Sequence, residues 1–181
     1  AERLFARLKV RRVYVPEVDS HQEELAALRA MAEAAGAEVI PVSDITVIPA
    51  GDASVTLYPP MGSGTSNEEG LFLLASAGDF DALVTGDADT FVENMLVKYC
   101  PIPDIELLLV GHHGSAGSTG ERLLDALRPE LAVISVGYNS YGHPAQSVLD
   151  RLRAAGAEVW RTDRDGSVTV TLRDGRVSVQ T

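Results

Sequence analysis

Three short clusters in this 181-residue sequence carry side chains able to do chemistry, and each follows an apolar, strand-like run. The first is Leu83-Val84-Thr85-Gly86-Asp87-Ala88-Asp89. Gly86 permits a sharp turn, which leaves the Asp87 carboxylate at the tip of the strand. Two oxygens and a negative charge there suit binding or bridging a cation. The competing reading is that Asp87 and Asp89 only cap the helix that follows. The second cluster is Leu107-Leu108-Leu109-Val110-Gly111-His112-His113-Gly114-Ser115. Adjacent histidines between glycines are unusual for packing alone. Glycine allows close backbone approach, and neutral imidazole is the commonest metal ligand. Neighbours on an extended segment point opposite ways, so one of His112 and His113 faces the site and the other orients it or meets a substrate. A structural or surface role for both is the alternative. The third is Ser135-Val136-Gly137-Tyr138-Asn139-Ser140-Tyr141-Gly142-His143-Pro144. Pro144 is placed to open a helix, which sets His143 near a helix N-terminus, where an anion is favoured. His143 then reads as a ligand or a phosphate-facing acid/base, with a plain helix cap as the alternative.

Together the clusters say more than any one does. An aspartate and histidines from several post-strand loops, gathered at one sheet edge, make an oxygen and nitrogen metal site. His21, the remaining histidine, lies in the first turn of a helix and reads as solvated. Other templates fit less well. There is no GxSxG nucleophile elbow, and no GxGxxG follows a strand. The glycine-rich stretch 62–66 lacks the Gly-Lys-Ser/Thr of a phosphate loop. Cys100, next to Pro101, reads as a buried or incidental thiol.

The elements that must position these residues alternate between helix and strand. Residues 2–9 read as helix and Val13–Val15 as a short strand ending at Pro16. Ser20 and Glu23 have capping-box spacing at the head of a helix that Gly36 can end. Strands follow at 37–42, 45–48, 53–58, 71–76 and 82–85, with a long loop from Tyr58 to Gly70. Asp89 can cap a helix reaching Cys100, and 105–110 is an apolar strand. Ser118 and Glu121 repeat the capping-box spacing before a helix over 119–127. A strand at 131–136, a helix from Pro144 to near Gly156, and closing strands at 157–162, 166–172 and 176–180 complete the chain. Ala-Ala-Gly-Ala-Glu-Val occurs at 34–39 and again at 154–159, each time where a helix hands over to a strand. That echo is either a shared turn chemistry or the trace of two related halves.

Composition sets the outer bounds. Hydrophobic residues make up 45% and charged residues 23%, which excludes wholesale disorder and collagen. No apolar run reaches the roughly 18–20 residues that cross a bilayer as a helix. A single cysteine excludes an internal disulfide and a cysteine-rich zinc site. Twenty-six acidic against 15 basic residues give a net charge of −11. Such a surface repels nucleic acid unless bound cations or a local basic patch reverse the field. Arg11, Arg12, Arg161 and Arg164 are candidates for that patch.

The ordered set Thr85-Gly86-Asp87, Gly111-His112-His113-Gly114-Ser115 and Tyr141-Gly142-His143-Pro144 resembles the metallo-β-lactamase-like superfamily. Asn67-Glu68 before the strand at 71–76 and the tail Trp160-Arg161-Thr162-Asp163-Arg164-Asp165-Gly166 extend the likeness. The resemblance is specifically to the C-terminal domain of the competence protein ComEC family, which internalises DNA. It implies an α/β, αββα sandwich forming one domain over 1–181, short of its N-terminal strands. It implies a divalent metal, Zn or Mn, and no small-molecule cofactor. On this chain Asp87 would be shared between two metals, His112 or His113 would be a ligand, and His143 a further ligand or a contact to the scissile phosphate. The metal would generate hydroxide and stabilise charge on a phosphoryl oxygen. The implied partners are single- or double-stranded DNA and the membrane channel portion of the same polypeptide, in the bacterial inner membrane. The superfamily's His-x-Asp-x-Asp-His cluster does not occur in the sequence; its expected place is upstream of Ala1. The chain is therefore expected to carry only part of a binuclear site and to be inactive as it stands. Three readings follow: a DNA phosphodiesterase of uptake, a catalytically inactive interaction or regulatory domain of the same channel, and a superfamily hydrolase of a small ester or lactam.

Overall fold

The computed structural model describes residues 2–62, 64–65 and 67–181; Ser63 and Ser66 of the glycine-rich stretch, and Ala1, lie outside the described residues. A seven-stranded sheet runs in chain order β3 (Thr46–Ala50), β4 (Ala53–Tyr58), β5 (Phe72–Ala77), β6 (Phe80–Val84), β7 (Leu107–Leu109), β8 (Leu131–Ile134) and β9 (Glu158–Arg161). β3 to β6 form an antiparallel meander, and β6 to β9 are parallel. Parallel neighbours need crossovers, and α3 (Thr90–Tyr99), α4 (Glu121–Leu127) and α5 (Gln146–Ala154) supply them. Right-handed crossovers stepping one way along a sheet stack their helices on one face, and α3 packs on α4 and α4 on α5. Before the sheet, β1 (Arg12–Pro16) and β2 (Glu38–Val42) pair in parallel around α2 (Gln22–Ala34). After it come α6 (Thr162–Asp165) and the antiparallel hairpin β10 (Thr169–Arg173) and β11 (Arg176–Gln180).

The core lies between the sheet and α3 to α5. Leu74, Leu83, Leu108 and Ala132 sit side by side across four strands, and all are buried. Along the short strand β7 only Leu108 is fully buried; Leu107 and Leu109 on the other face are half-buried. The run that reads as uniformly apolar is thus a two-faced strand, with its better-covered face under the helices. On the opposite face, Val170 and Leu172 of β10 stand over Ala53, Val55 and Leu107, with a gap of about 290 Å³ between hairpin and sheet.

Several helix starts differ from the expectation. The first helix, α1 (Glu2–Phe5), is short and buries nothing. Ser20 does not cap α2: its hydroxyl donates to Glu69, and the N-cap is His21 in left-handed geometry with no side-chain bond. Ser118 does not cap α4 either, because its hydroxyl donates to the Gly111 carbonyl at 2.8 Å; Gly120 is the N-cap. Pro144 precedes α5 by two residues, so His143 stands outside the first turn of that helix. Asp89 does cap α3, accepting from the Val92 amide at 2.9 Å. Cys100 is buried, and burial pushes its thiol pKa up, as suits an inert thiol.

The repeated Ala-Ala-Gly-Ala-Glu-Val is a repeated helix ending. Gly36 donates to Glu33 and Ala37 to Ala32; Gly156 donates to Arg153 and Ala157 to Leu152. Both copies are Schellman caps. Each leads into the second strand of a parallel βαβ unit, β1-α2-β2 and β8-α5-β9.

The two faces of β7 predict unequal costs of truncation. Leu108→Ala is expected to lower unfolding free energy by about 2–5 kcal/mol, and Leu109→Ala by less. Urea denaturation of the two variants checks this; equal losses would contradict the one-sided core.

Candidate functional site

Parallel strands β6, β7 and β8 end at the same edge of the sheet, so the loops that follow them emerge together. The loops are also joined by backbone hydrogen bonds. The His112 amide donates to the Gly86 carbonyl at 2.8 Å, and the Ala145 amide donates to the Gly114 carbonyl at 2.8 Å. Glycine is required by this closeness. A Cβ on Gly114 would lie 2.6 Å from Pro144 Cβ, and one on Gly111 would lie 2.8 Å from Thr85 Oγ1. The Thr85-Gly86-Asp87, Gly111-His112-His113-Gly114 and His143-Pro144 segments are therefore in contact at backbone level.

The two histidines are not on an extended segment. Residues 111–114 form a 3-10 turn in which His112 (φ 47°, ψ 43°) and His113 (φ 55°, ψ 23°) both take left-handed geometry. Two successive non-glycine residues in that region cost on the order of 1 kcal/mol or more each. The side chains still diverge. The His112 ring meets the His143 ring edge-on, with centroids 5.9 Å apart. His113 turns to β8, its Nδ1 2.7 Å from the Ser135 carbonyl oxygen. Asp87 is exposed on the neighbouring loop, and the cap role belongs to Asp89.

A buried polar layer beneath the loops fixes this geometry. Glu93, on α3, is fully buried, and its carboxylate accepts from the Thr119 amide at 2.6 Å and the Gly120 amide at 2.9 Å. Thr119 Oγ1 accepts from the Gly111 amide at 3.2 Å. From the other side, Arg151 of α5 donates to the carbonyls of Thr119, Ser118 and Ala116. Burial raises the Glu93 pKa from 4.5 to about 7, against the opposing pull of the two amides and Arg151, with Asp89 adding a small push upward. Sequence reasoning missed Glu93 and Arg151; a lone acid amid the apolar positions of a helix is the signal that marks Glu93.

The 137–143 loop has its own organiser, also missed. Asn139 donates to the carbonyls of Gly137 and His143, and its Oδ1 accepts from the amides of Tyr141 and His143. Thr162 ties the end of β8, exchanging bonds with the Val136 amide and carbonyl. Beside this loop opens a cleft of about 350 Å³ reaching from His113 and Ser135 to His143. Of the four arginines expected to form a basic patch, three have acidic partners: Arg12 pairs with Glu38, Arg161 with Asp163 and Arg164 with Asp165.

The donors suit a divalent ion in kind. Among the described residues, His143 Nδ1 is buried without a hydrogen-bond partner, as an uncommitted ligand atom would be. They do not suffice in number: among the described residues no three His, Cys, Asp or Glu side chains group closely enough to hold a metal.

Comparison with known proteins follows the same lines. The fold matches the metallo-β-lactamase fold protein YhfI from Bacillus subtilis, with TM-score 0.52 and 11% identity over 93% of this chain and 65% of that one. It also matches CmlA, a diiron β-hydroxylase from Streptomyces venezuelae, with TM-score 0.57 and 17% identity over 89% of this chain and 40% of that one. These likenesses define the class: a metallo-β-lactamase-like α/β domain. No family model matches the sequence. Sequence relatives specify more. The chain is 32% identical over 171 residues to ComE operon protein 3 of Bacillus subtilis (strain 168), covering 93% of this chain and 22% of that protein. It is 42% identical over 116 residues to competence protein ComA of Neisseria gonorrhoeae, covering 63% of this chain and 17% of that protein. It is 36% identical over 115 residues to recombination protein 2 of Haemophilus influenzae, covering 63% of this chain and 14% of that protein. The chain belongs to the ComEC family of competence proteins as its metallo-β-lactamase-like domain. It spans about a fifth or less of the length of the curated relatives it matches.

Two outcomes test the geometry. A carboxyl that holds its proton more tightly folded than unfolded favours folding only while protonated. The Glu93 contribution is therefore lost as pH rises from about 4.5 to about 7, on the order of 3 kcal/mol in total. Glu93→Gln is expected to flatten that fall, as measured by urea unfolding across the range; an unchanged slope would contradict it. At the strained turn, His112→Gly is expected to be about 1 kcal/mol more stable than His112→Ala, because only glycine relaxes at that φ.

Proposed function

We propose that this chain is the hydrolase-fold part of a DNA-uptake protein, and that its Asp87, His112 and His143 edge contributes to a metal-dependent centre for DNA phosphodiester hydrolysis. The observation that carries this is the joining of three post-strand loops by backbone bonds at one sheet edge, with the His112 and His143 rings meeting edge-on. In this reading Asp87, exposed on the adjacent loop, adds a carboxylate to the imidazole pair. His113 is a positioning residue, held on the Ser135 carbonyl. His143 is a further donor or a contact to the scissile phosphate. A divalent ion, Zn or Mn, would supply an activated water and neutralise developing charge. The remaining donors would come from outside these residues, since those described do not complete a three-donor group. The parent would be an inner-membrane channel protein bearing this domain; none of the described helices is long and apolar enough to cross a membrane.

A second reading has its own support. The incomplete donor set and the paired arginines favour a domain that binds other parts of the channel and cuts nothing. One comparison separates the two: metal content and Mn- or Zn-dependent oligonucleotide cleavage, measured on this chain and on an upstream-extended form of the same protein. The hydrolase reading expects bound metal and cleavage in the longer form only, with cleavage reduced at least about a hundredfold by Asp87→Ala. Equal metal in both forms would overturn the divided site. Metal without cleavage in the longer form would establish the interaction domain.

A further inference from the structure

Two tyrosines stand on the rim of the cleft beside the candidate centre. Tyr138 is fully exposed and Tyr141 is 82% exposed. Aromatic side chains normally find cover, because each carries a large apolar area. These two lie in a loop that is not loose: the Asn139 side chain, between them in sequence, makes four hydrogen bonds that lock residues 137–143. Tyr141 also stacks on the His143 ring, with centroids 5.9 Å apart and planes inclined by 25°. The loop thus presents planar, pre-positioned surface next to a candidate catalytic side chain.

The cleft offers little to a phosphate. No Lys or Arg is among the residues that line it, which include His113, Ser135, Tyr138, Asn139, Tyr141 and His143. Arg161 and Arg164, the closest in sequence to its Thr162 wall, are each paired with an aspartate. The chain as a whole carries −11. A polyanion held here by its backbone would meet repulsion without compensation. A planar, uncharged group would meet two aromatic faces.

Resting on the reading of this site as one for DNA, we propose that Tyr138 and Tyr141 form a stacking subsite for an unpaired nucleobase, which sets the adjoining nucleotide beside His143. The substrate is then single-stranded, because a duplex keeps its base faces stacked on one another and out of reach. Recognition is through the base face, and so tolerates any sequence.

Binding of short fluorescent oligonucleotides to this chain tests the idea, measured by anisotropy with EDTA present so that no metal-dependent step takes part. The probes are oligothymidylate, an abasic oligomer of the same length, and a duplex. Oligothymidylate is expected to bind about tenfold or more tighter than the abasic strand and the duplex. Tyr138→Ala and Tyr141→Ala are each expected to weaken it about tenfold, while Tyr138→Phe and Tyr141→Phe retain it. Affinity is expected to change by about threefold or less between 50 and 200 mM salt, as for a site that neutralises at most one phosphate. Equal binding of thymidylate and abasic strands, affinity that survives both alanine variants, a steep salt dependence, or no binding of thymidylate would each overturn the stacking subsite. Cleavage by the longer form is read separately, so loss of either property leaves the other measurable.

Discussion

A buried carboxylate under a strained turn is the constraint on which the site depends. Glu93 has no exposed surface, yet it must accept the Thr119 and Gly120 amides. Those amides open α4 and would be unpaired inside the protein without it. Arg151 approaches the same segment from α5 and satisfies three of its carbonyls. Acid and base thus hold one loop from two helices, with backbone between them. Removing the Glu93 side chain would leave the two amides it accepts from without that partner, which is costly inside a protein. Together with the Gly111 bonds to Ser118 and Thr119, they over-determine the segment in which His112 and His113 take left-handed geometry. Strain of that kind persists only where the surroundings leave no alternative.

The sheet determines what this knot can reach. Because β6, β7 and β8 are parallel and adjacent, three loops leave the same edge within contact of one another. An antiparallel order would have sent every second loop to the far edge. The meander of β3 to β6 supplies width and apolar cover, while the parallel half supplies the site. Electrostatics then limits the kind of ligand. With a net charge of −11 and three of its four candidate arginines paired, the chain draws a polyanion weakly by field, so contact area and shape near the cleft carry more of any recognition.

The strands were legible in the sequence because alternation and apolar runs have a short period that local sequence preserves. The glycine-bordered clusters were legible as well, since strand ends followed by Gly and His or Asp are local patterns. The helix starts were less so. Ser20 and Ser118 have the spacing of caps, but each hydroxyl has a tertiary partner, Glu69 or Gly111, that a local pattern does not reveal. The opposed directions of His112 and His113 were anticipated from an extended segment; the turn achieves the divergence by another geometry. Glu93, Arg151 and Asn139 went unnoticed for one reason. Each acts through backbone groups, and backbone partners leave no signature in residue type; only Glu93, a lone acid amid the apolar positions of its helix, is marked by its setting.

The same backbone ties bear on how the loops hold their shape. In small metal-stapled domains the ion supplies the folding energy, and its ligands scatter when it leaves. Here the His112 amide, the Gly114 carbonyl and the His113 ring are each fixed by protein partners. Asn139 and Thr162 do the same for the loop that carries His143. The backbone that carries the imidazoles is therefore placed by hydrogen bonds that form on folding, before any further donor or ligand arrives. Such a half-site needs little rearrangement to accept the rest, because the ordering entropy has already been met by the fold. That order of events is available because the polar knot around Glu93 and Arg151 holds the strained turn closed.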